Sequence, residues 1–178
     1  MYVGEWRKAT DRTLCTTLGA VDEIRIRPYL PGDAAALAQV YYRAVRVGAA
    51  KHYSVAQIAA WAPNPPDPEW FVGRARDGRL TLVAVDAVDQ PLAYGDLESD
   101  GHIDHLYCRP ESSGRGLASA IYDQLEALAR TQGLTRLYVE ASEGARGLFL
   151  RKGYSVVERR DFSLRGVAIH HYRMEKRL

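Results

Sequence analysis

Hydrophobic and polar positions along the chain follow two periods, and each change of period marks an element. Ile24-Arg25-Ile26-Arg27 alternates apolar and basic residues and stops at Pro28, which predicts a short strand with one buried face. Behind Asp33, in the position of an N-cap, Leu37, Val40, Tyr41, Ala44 and Val45 recur at helical spacing and predict an amphipathic helix. Ser54 followed by Gln57 forms a capping box, and the helix it opens must end near Trp61 because Pro63, Pro65 and Pro66 follow. Asp67-Pro68 opens a further helical turn through Trp70 and Phe71.

Residues 80–88, 91–99 and 102–108 are rich in strand formers and are joined by Asp89-Gln90 and Asp100-Gly101, so they predict an antiparallel meander. The segment 116–132 carries Leu117, Ile121, Leu125 and Leu128 on one face and ends at Gly133, which makes it the longest predicted helix. A strand over 137–141, a short helix over 145–152 closed by Gly153, and a hairpin about Gly166 complete the order. Residues 1–22 show neither period and are set apart as an extension of unknown role; residues 23–178 form one domain.

Composition narrows the class. With 47% hydrophobic and 26% charged residues the chain can bury a real core, and a formal charge of +2 supplies no basic field for nucleic acid. Cys15 and Cys108 are too few and too far apart for a disulfide framework or a metal cluster, and fit a reducing compartment. No segment reaches the roughly 20 apolar residues of a membrane span. Glu5, Arg7, Lys8, Asp11 and Arg12 interrupt any apolar signal region, so a cytoplasmic location is expected.

The chemistry concentrates in Leu106-Tyr107-Cys108-Arg109-Pro110-Glu111-Ser112-Ser113-Gly114-Arg115-Gly116-Leu117-Ala118-Ser119, a strand, a glycine-bearing turn and a helix start. The first N–H groups of a helix lack internal acceptors, and the dipole adds positive charge there, so a phosphate is the expected guest. The turn is neither a Gly-x4-Gly-Lys-Ser/Thr loop nor a three-glycine dinucleotide fingerprint. Ser113-Gly114-Arg115-Gly116-Leu117-Ala118 after Cys108-Arg109-Pro110 instead resembles the acyl-CoA loop of the GNAT superfamily of N-acyltransferases. Gly116 and Ala118 match its Gln/Arg-x-x-Gly-x-Gly/Ala pattern, and Ser113 stands where a long polar side chain is usual. The order of elements from Ile24 onward is the family's order. Residues 141–154 resemble its Ala-x-x-Phe-Tyr-x-x-x-Gly-Phe segment, and Tyr53 to Pro63 is similar to one bacterial branch.

The resemblance implies an α/β (α+β) domain: a mixed, mostly antiparallel sheet of about seven strands with helices on both faces and two splayed parallel strands, 102–108 and 137–141. It implies acetyl-CoA as acyl donor, pyrophosphate on the amides around Ser113, Gly114, Arg115, Gly116, Leu117, Ala118 and Ser119, and pantetheine along Leu106, Tyr107 and Cys108. Ser142 and Phe149 would flank the thiol, and Arg146, Arg151 and Lys152 are candidates for the adenosine phosphate. Phe149 occupies the position where the family often carries a Tyr as general acid.

The resemblance implies a small-molecule or peptide amine as acceptor, attacking directly, with nucleic acid and membrane not expected as partners and a homodimer left open. An acyl-CoA binding or sensing module with little activity is the alternative. A lysine-like amine has a pKa near 10.4, so a base or water chain must take its proton. Alternation places His102, Asp104, Leu106 and Cys108 on one strand face and Ile103, His105 and Tyr107 on the other, which nominates His102 and Asp104 together, with Glu98 as a third candidate. A His102/His105 metal pair is rejected because the two rings would face opposite ways.

Overall fold

The computed structural model describes residues 24–178 and the backbone of residues 16–18. Its elements are β1 (Thr16–Leu18), β2 (Ile24–Pro28), α1 (Ala34–Arg46), α2 (Val55–Trp61), α3 (Pro68–Arg74), β3 (Leu80–Val85), β4 (Pro91–Leu97), β5 (Leu106–Cys108), α4 (Leu117–Thr131), β6 (Arg136–Ala141), α5 (Glu143–Arg151), β7 (Ser155–Leu164) and β8 (Val167–Arg177). The strands form a five-stranded sheet ordered β1-β2-β3-β4-β5 and a three-stranded sheet ordered β6-β8-β7. All ladders are antiparallel, and the two sheets meet at one parallel bridge between His102 and Tyr138. Thr16–Leu18 extends the first sheet by pairing with β2, so this part of the segment set apart as an extension belongs to the sheet. The other residues of that segment lie outside the described ones.

Helices cover both faces. On one, Leu117, Ile121 and Leu125 of α4 bury against Leu82, Ala84 and Ala93 and join Phe149, Tyr154 and Met174. On the other, Leu37 and Val40 of α1 pack with Phe71 of α3 against Val83, Val85 and Tyr94. The Ser54–Gln57 capping box forms as its spacing predicts, with Gln57 N donating to Ser54 Oγ at 3.2 Å and Ser54 N to Gln57 Oε1 at 2.9 Å. Asp33 caps α1 in position only. Its carboxylate takes the Leu30 N–H at 2.8 Å and a two-pronged bond from Arg27 at 2.8 and 2.9 Å, because an arginine fork outbids a lone amide for a buried carboxylate. No helix among the described residues is long and apolar enough to cross a membrane.

Where the sheets meet, the chain is irregular. Asp96 N donates to the His105 carbonyl and Glu98 N to the His102 carbonyl, so three residues on one strand (96–98) oppose four on the other (102–105). That extra residue is a bulge, and regular pairing with β4 holds only for Leu106, Tyr107 and Cys108. Ile103 N donates to the Tyr138 carbonyl and Tyr138 N to the Gly101 carbonyl, after which β5 and β6 diverge. Gly101 is required at this crossing: its φ is 93°, and a Cβ there would run into the Arg136 carbonyl oxygen.

Candidate active site

The glycine turn opens into a groove of about 550 Å³. Ser113 and Ala118 line its loop end, Leu106, Tyr107 and Cys108 one wall, and Ser142, Gly144, Ala145 and Leu148 the other. Gly114 and Gly116 both have φ of 81°, and the space where their Cβ atoms would sit is open, so a ligand can reach the backbone directly. Gly116 is the residue before α4, and the N–H groups that follow it in the first turn have no helical acceptors. Leu117 turns its side chain into the core, so its contribution to this end is its backbone. These features fit a pyrophosphate-bearing thioester. Alternate residues of β5 bond to β4, with Arg109 N on the Leu92 carbonyl and the His105 carbonyl on Asp96 N fixing the phase. Leu106 and Cys108 therefore aim their N–H groups at the gap, and Tyr107 aims its own at β4.

A narrow space of about 60 Å³ between the diverging strands is lined by Ile103, Leu106, Val139, Ala141, Ala145 and Phe149, among others. It shares lining residues with the groove and with a second cavity of about 350 Å³ that residues of α1, α3 and the β7–β8 hairpin line. Tyr41, Trp61, Trp70, Phe162, Leu164 and Ile169 supply its apolar walls, and Arg74, Asp104, His105, Glu140, His170 and His171 its polar groups. Tyr107, Ser142 and Trp61 border all three spaces, while Asp104 and Glu140 border the strand gap and the large cavity.

The bulge separates the residues that alternation would have put side by side. His102 stacks on Tyr138 with ring centres 4.6 Å apart, and its ring nitrogens face Glu98 Oε2 at 3.4 Å and Glu140 Oε2 at 2.7 Å. Asp104 points elsewhere, its Oδ2 accepting from Arg74 Nη2 at 2.6 Å and Arg79 Nη1 at 3.2 Å. Burial works against its ionisation, but the positive charges of His105 and Arg74 outweigh burial and hold the carboxyl at about 2. Because His105 is itself neutral at neutral pH, Arg74 carries that effect there and keeps Asp104 ionised. Glu98 is tied to Arg79 at 2.7 Å, and neither it nor His102 lines the cavity or the gap.

Other expected contacts divide in the same way. Phe149 is 1% exposed, borders the gap, and packs edge-on against Tyr122 and Tyr154. Ser142 borders the groove and caps α5 through its Oγ, which accepts from Ala145 N at 3.3 Å. Burial pushes the Cys108 thiol up to about 11, away from the reactive thiolate form, and Cys108 lines the groove wall. Arg146 pairs with Glu143 at 3.2 Å and lies over the Tyr172 ring, and Lys152 pairs with Asp123 at 2.6 Å. None of Arg146, Arg151 and Lys152 lines the groove, whose basic side chains are Lys51 and His52.

Three residues matter here that sequence reasoning did not nominate. Glu140 is the polar side chain of β6 aimed at the gap, between the buried Val139 and Ala141. Arg74 closes α3 and joins Asp104 to Asp96, which is 2% exposed. His105 is buried by Tyr41, Trp70, Tyr94 and Tyr107, and burial lowers its pKa to about 4. Its Nδ1 lies 2.9 Å from Tyr94 Oη. That hydroxyl has no other acceptor among the described residues, so donating to Nδ1 satisfies both groups and leaves the imidazole proton on Nε2.

The comparisons with known proteins agree with this geometry. The family model described as "Acetyltransferase (GNAT) domain" matches residues 49–176. The uncharacterised N-acetyltransferase YafP of Escherichia coli (strain K12) is 33% identical over 146 residues, covering 82% of this chain and 91% of that protein. An L-methionine sulfoximine/L-methionine sulfone acetyltransferase of Pseudomonas aeruginosa is 33% identical over 113 residues, or 55% of this chain and 66% of that protein. The crystal structure of a GCN5-related N-acetyltransferase (aminotransferase, class II) from Rhodopseudomonas palustris superposes with a TM-score of 0.79 at 33% identity, covering 94% of this chain and all of that one. The chain belongs to the GNAT family of acyl-CoA-dependent N-acetyltransferases, whose acyl donor is acetyl-CoA.

Proposed function

We propose that the large cavity receives a small-molecule primary amine, and that its acetylation takes place where Asp104 and Glu140 border both cavity and strand gap. The shared walls carry the reading: Trp61, Tyr107 and Ser142 border groove, gap and cavity, and Asp104 and Glu140 border gap and cavity. Acetyl-CoA supplies the acetyl group already activated as a thioester. Gly114, Gly116 and the first turn of α4 hold the phosphates by their backbone, and β5 and α5 form the walls along which the pantetheine arm lies. Leu106 N–H is the donor placed for the developing oxyanion.

Glu140 takes the proton from the amine, directly or through one water, so that the nitrogen lone pair is free for direct attack. His102 fixes the Glu140 carboxylate from behind through the 2.7 Å bond. Asp104, Arg74 and Arg79 set the field in which the amine is received. The cavity has a volume of about 350 Å³, and the small amino-acid analogues named for the Pseudomonas relative are of that scale. Thiol release from acetyl-CoA with a panel of small amines tests the proposal. Turnover with acceptor-dependent acetylated product supports it, while tight acetyl-CoA binding with no turnover on any amine would favour the binding-module alternative.

A further inference from the structure

Resting on that assignment of the acceptor cavity, we infer that the acceptor is an α-amino acid with a large apolar side chain, held by a matched pair of opposite charges, Asp104 and Arg74. Asp104 Oδ2 and Arg74 Nη2 are 2.6 Å apart, and both residues line the cavity. Asp104 also borders the strand gap, and Arg74 does not. The negative group is therefore the one beside the thioester, and the positive group lies one step deeper.

Each charge keeps capacity for a ligand. Asp104 bonds both arginines through Oδ2, so Oδ1 takes no donor from the described residues. Arg74 gives Nη2 to Asp96 and Asp104, while its Nε and Nη1 have no acceptor among the described residues. The Arg74 guanidinium lies 4.7 Å over the Trp70 ring, and the His105 ring is 5.4 Å from that ring. His105 lines the same cavity and is 7% exposed, with its Nε2 proton unclaimed. The α-amino and α-carboxylate groups of an amino acid are likewise neighbours of opposite sign. The amino group meets Asp104 Oδ1 at the gap, within reach of Glu140, and the carboxylate meets the free edge of Arg74 with a second bond from His105. A side chain leaving the α-carbon then enters the space walled by Tyr41, Trp61, Trp70, Phe162, Leu164 and Ile169.

A simple amine satisfies only half of this arrangement. It would leave the free edge of the largely buried Arg74 and the N–H of the buried His105 without acceptors, which is how a hydrogen-bonding pocket rejects an analogue lacking its partner.

The test uses the full chain with acetyl-CoA and matched pairs: L-phenylalanine against phenethylamine, L-tryptophan against tryptamine, and L-methionine against its decarboxylated amine. At least one amino acid should exceed its amine by about 10²-fold or more in kcat/KM. Calorimetry in the presence of CoA should show the same order for binding without any reaction. Arg74→Lys should raise KM for the amino acid by about 10-fold or more relative to any change it causes for the matched amine, and keep the thermal shift on acetyl-CoA binding. His105→Gln, which spares the ion network, should raise the same KM and serves as the second variant should Arg74→Lys not fold. Equal use of amine and amino acid, or turnover of amines alone, overturns the inference while leaving the acetyltransferase assignment standing. Absence of acetyl-CoA binding would instead overturn that assignment.

Discussion

His102 Nε2 lies 2.7 Å from Glu140 Oε2, and this bond ties the two strands together just where their backbone pairing ends. One turn of geometry follows from it. The Tyr138 ring under His102 and the Glu98 carboxylate beyond it leave the imidazole little freedom, so Glu140 is held against the gap by a rigid neighbour rather than by solvent. His102 is thus a positioning residue. His102→Ala should lower kcat while leaving the acceptor KM and the acetyl-CoA affinity near those of the native sequence. An unaltered kcat would show that the bond serves folding alone.

Stability should depend on His105 in a separate pH window. Burial depresses its folded-state pKa from 6.5 to about 4, so between these values the unfolded chain binds more protons than the native one. The stabilising contribution is complete above about pH 6.5 and is lost as pH falls toward 4, a difference of about 3 kcal/mol at most. Thermal melts from pH 7 to pH 4.5 should show a falling Tm in the native sequence and a shallower fall in His105→Gln. Parallel slopes would contradict the assignment.

Gly116→Glu is expected to abolish the Tm increase that acetyl-CoA produces, since binding to the native state alone must stabilise it. The substitution forces a side chain into φ of 81° and sets a negative charge beside the phosphate-binding turn. Nothing packs within 4 Å of that position, so the fold itself should survive with a small loss of Tm. A thermal shift equal to that of the native sequence would place the cofactor elsewhere.

At Phe149 the ring borders the strand gap although it is only 1% exposed. Phe149→Tyr should leave turnover unchanged or raise it by returning a proton donor to the thiol side. Thiol-release rates decide the matter, and a large loss with normal melting would mean that the ring edge packs on the acetyl group.

Much of the fold was written in local pattern. The Ser54–Gln57 box, the Gly133 stop after α4 and the Gly-x-Gly turn before it are each decided by residues within a few positions of one another, which is why they are found where expected. The active-site face was less legible because it depends on a bulge. One extra residue between His102 and His105 breaks the two-residue period, and the face assignment drawn from alternation fails from that point. Arg74 and Glu140 stand 30 and 38 positions from the partners that define them, Asp104 and His102. A polar residue between two buried apolar ones near the end of β6 was the available signal for Glu140; for Arg74, at the end of a short helix, there was none.

Glu140→Gln offers the most direct measurement: the rate of acetyl transfer under saturating acetyl-CoA and acceptor, taken beside acetyl-CoA affinity by calorimetry. The isosteric amide keeps the shape of the gap and removes the proton acceptor. Turnover should fall by about 10²-fold or more while acetyl-CoA affinity stays within error of the native protein. Full turnover in Glu140→Gln, with a pH profile like that of the native sequence, would contradict proton removal at the junction of the gap and the cavity.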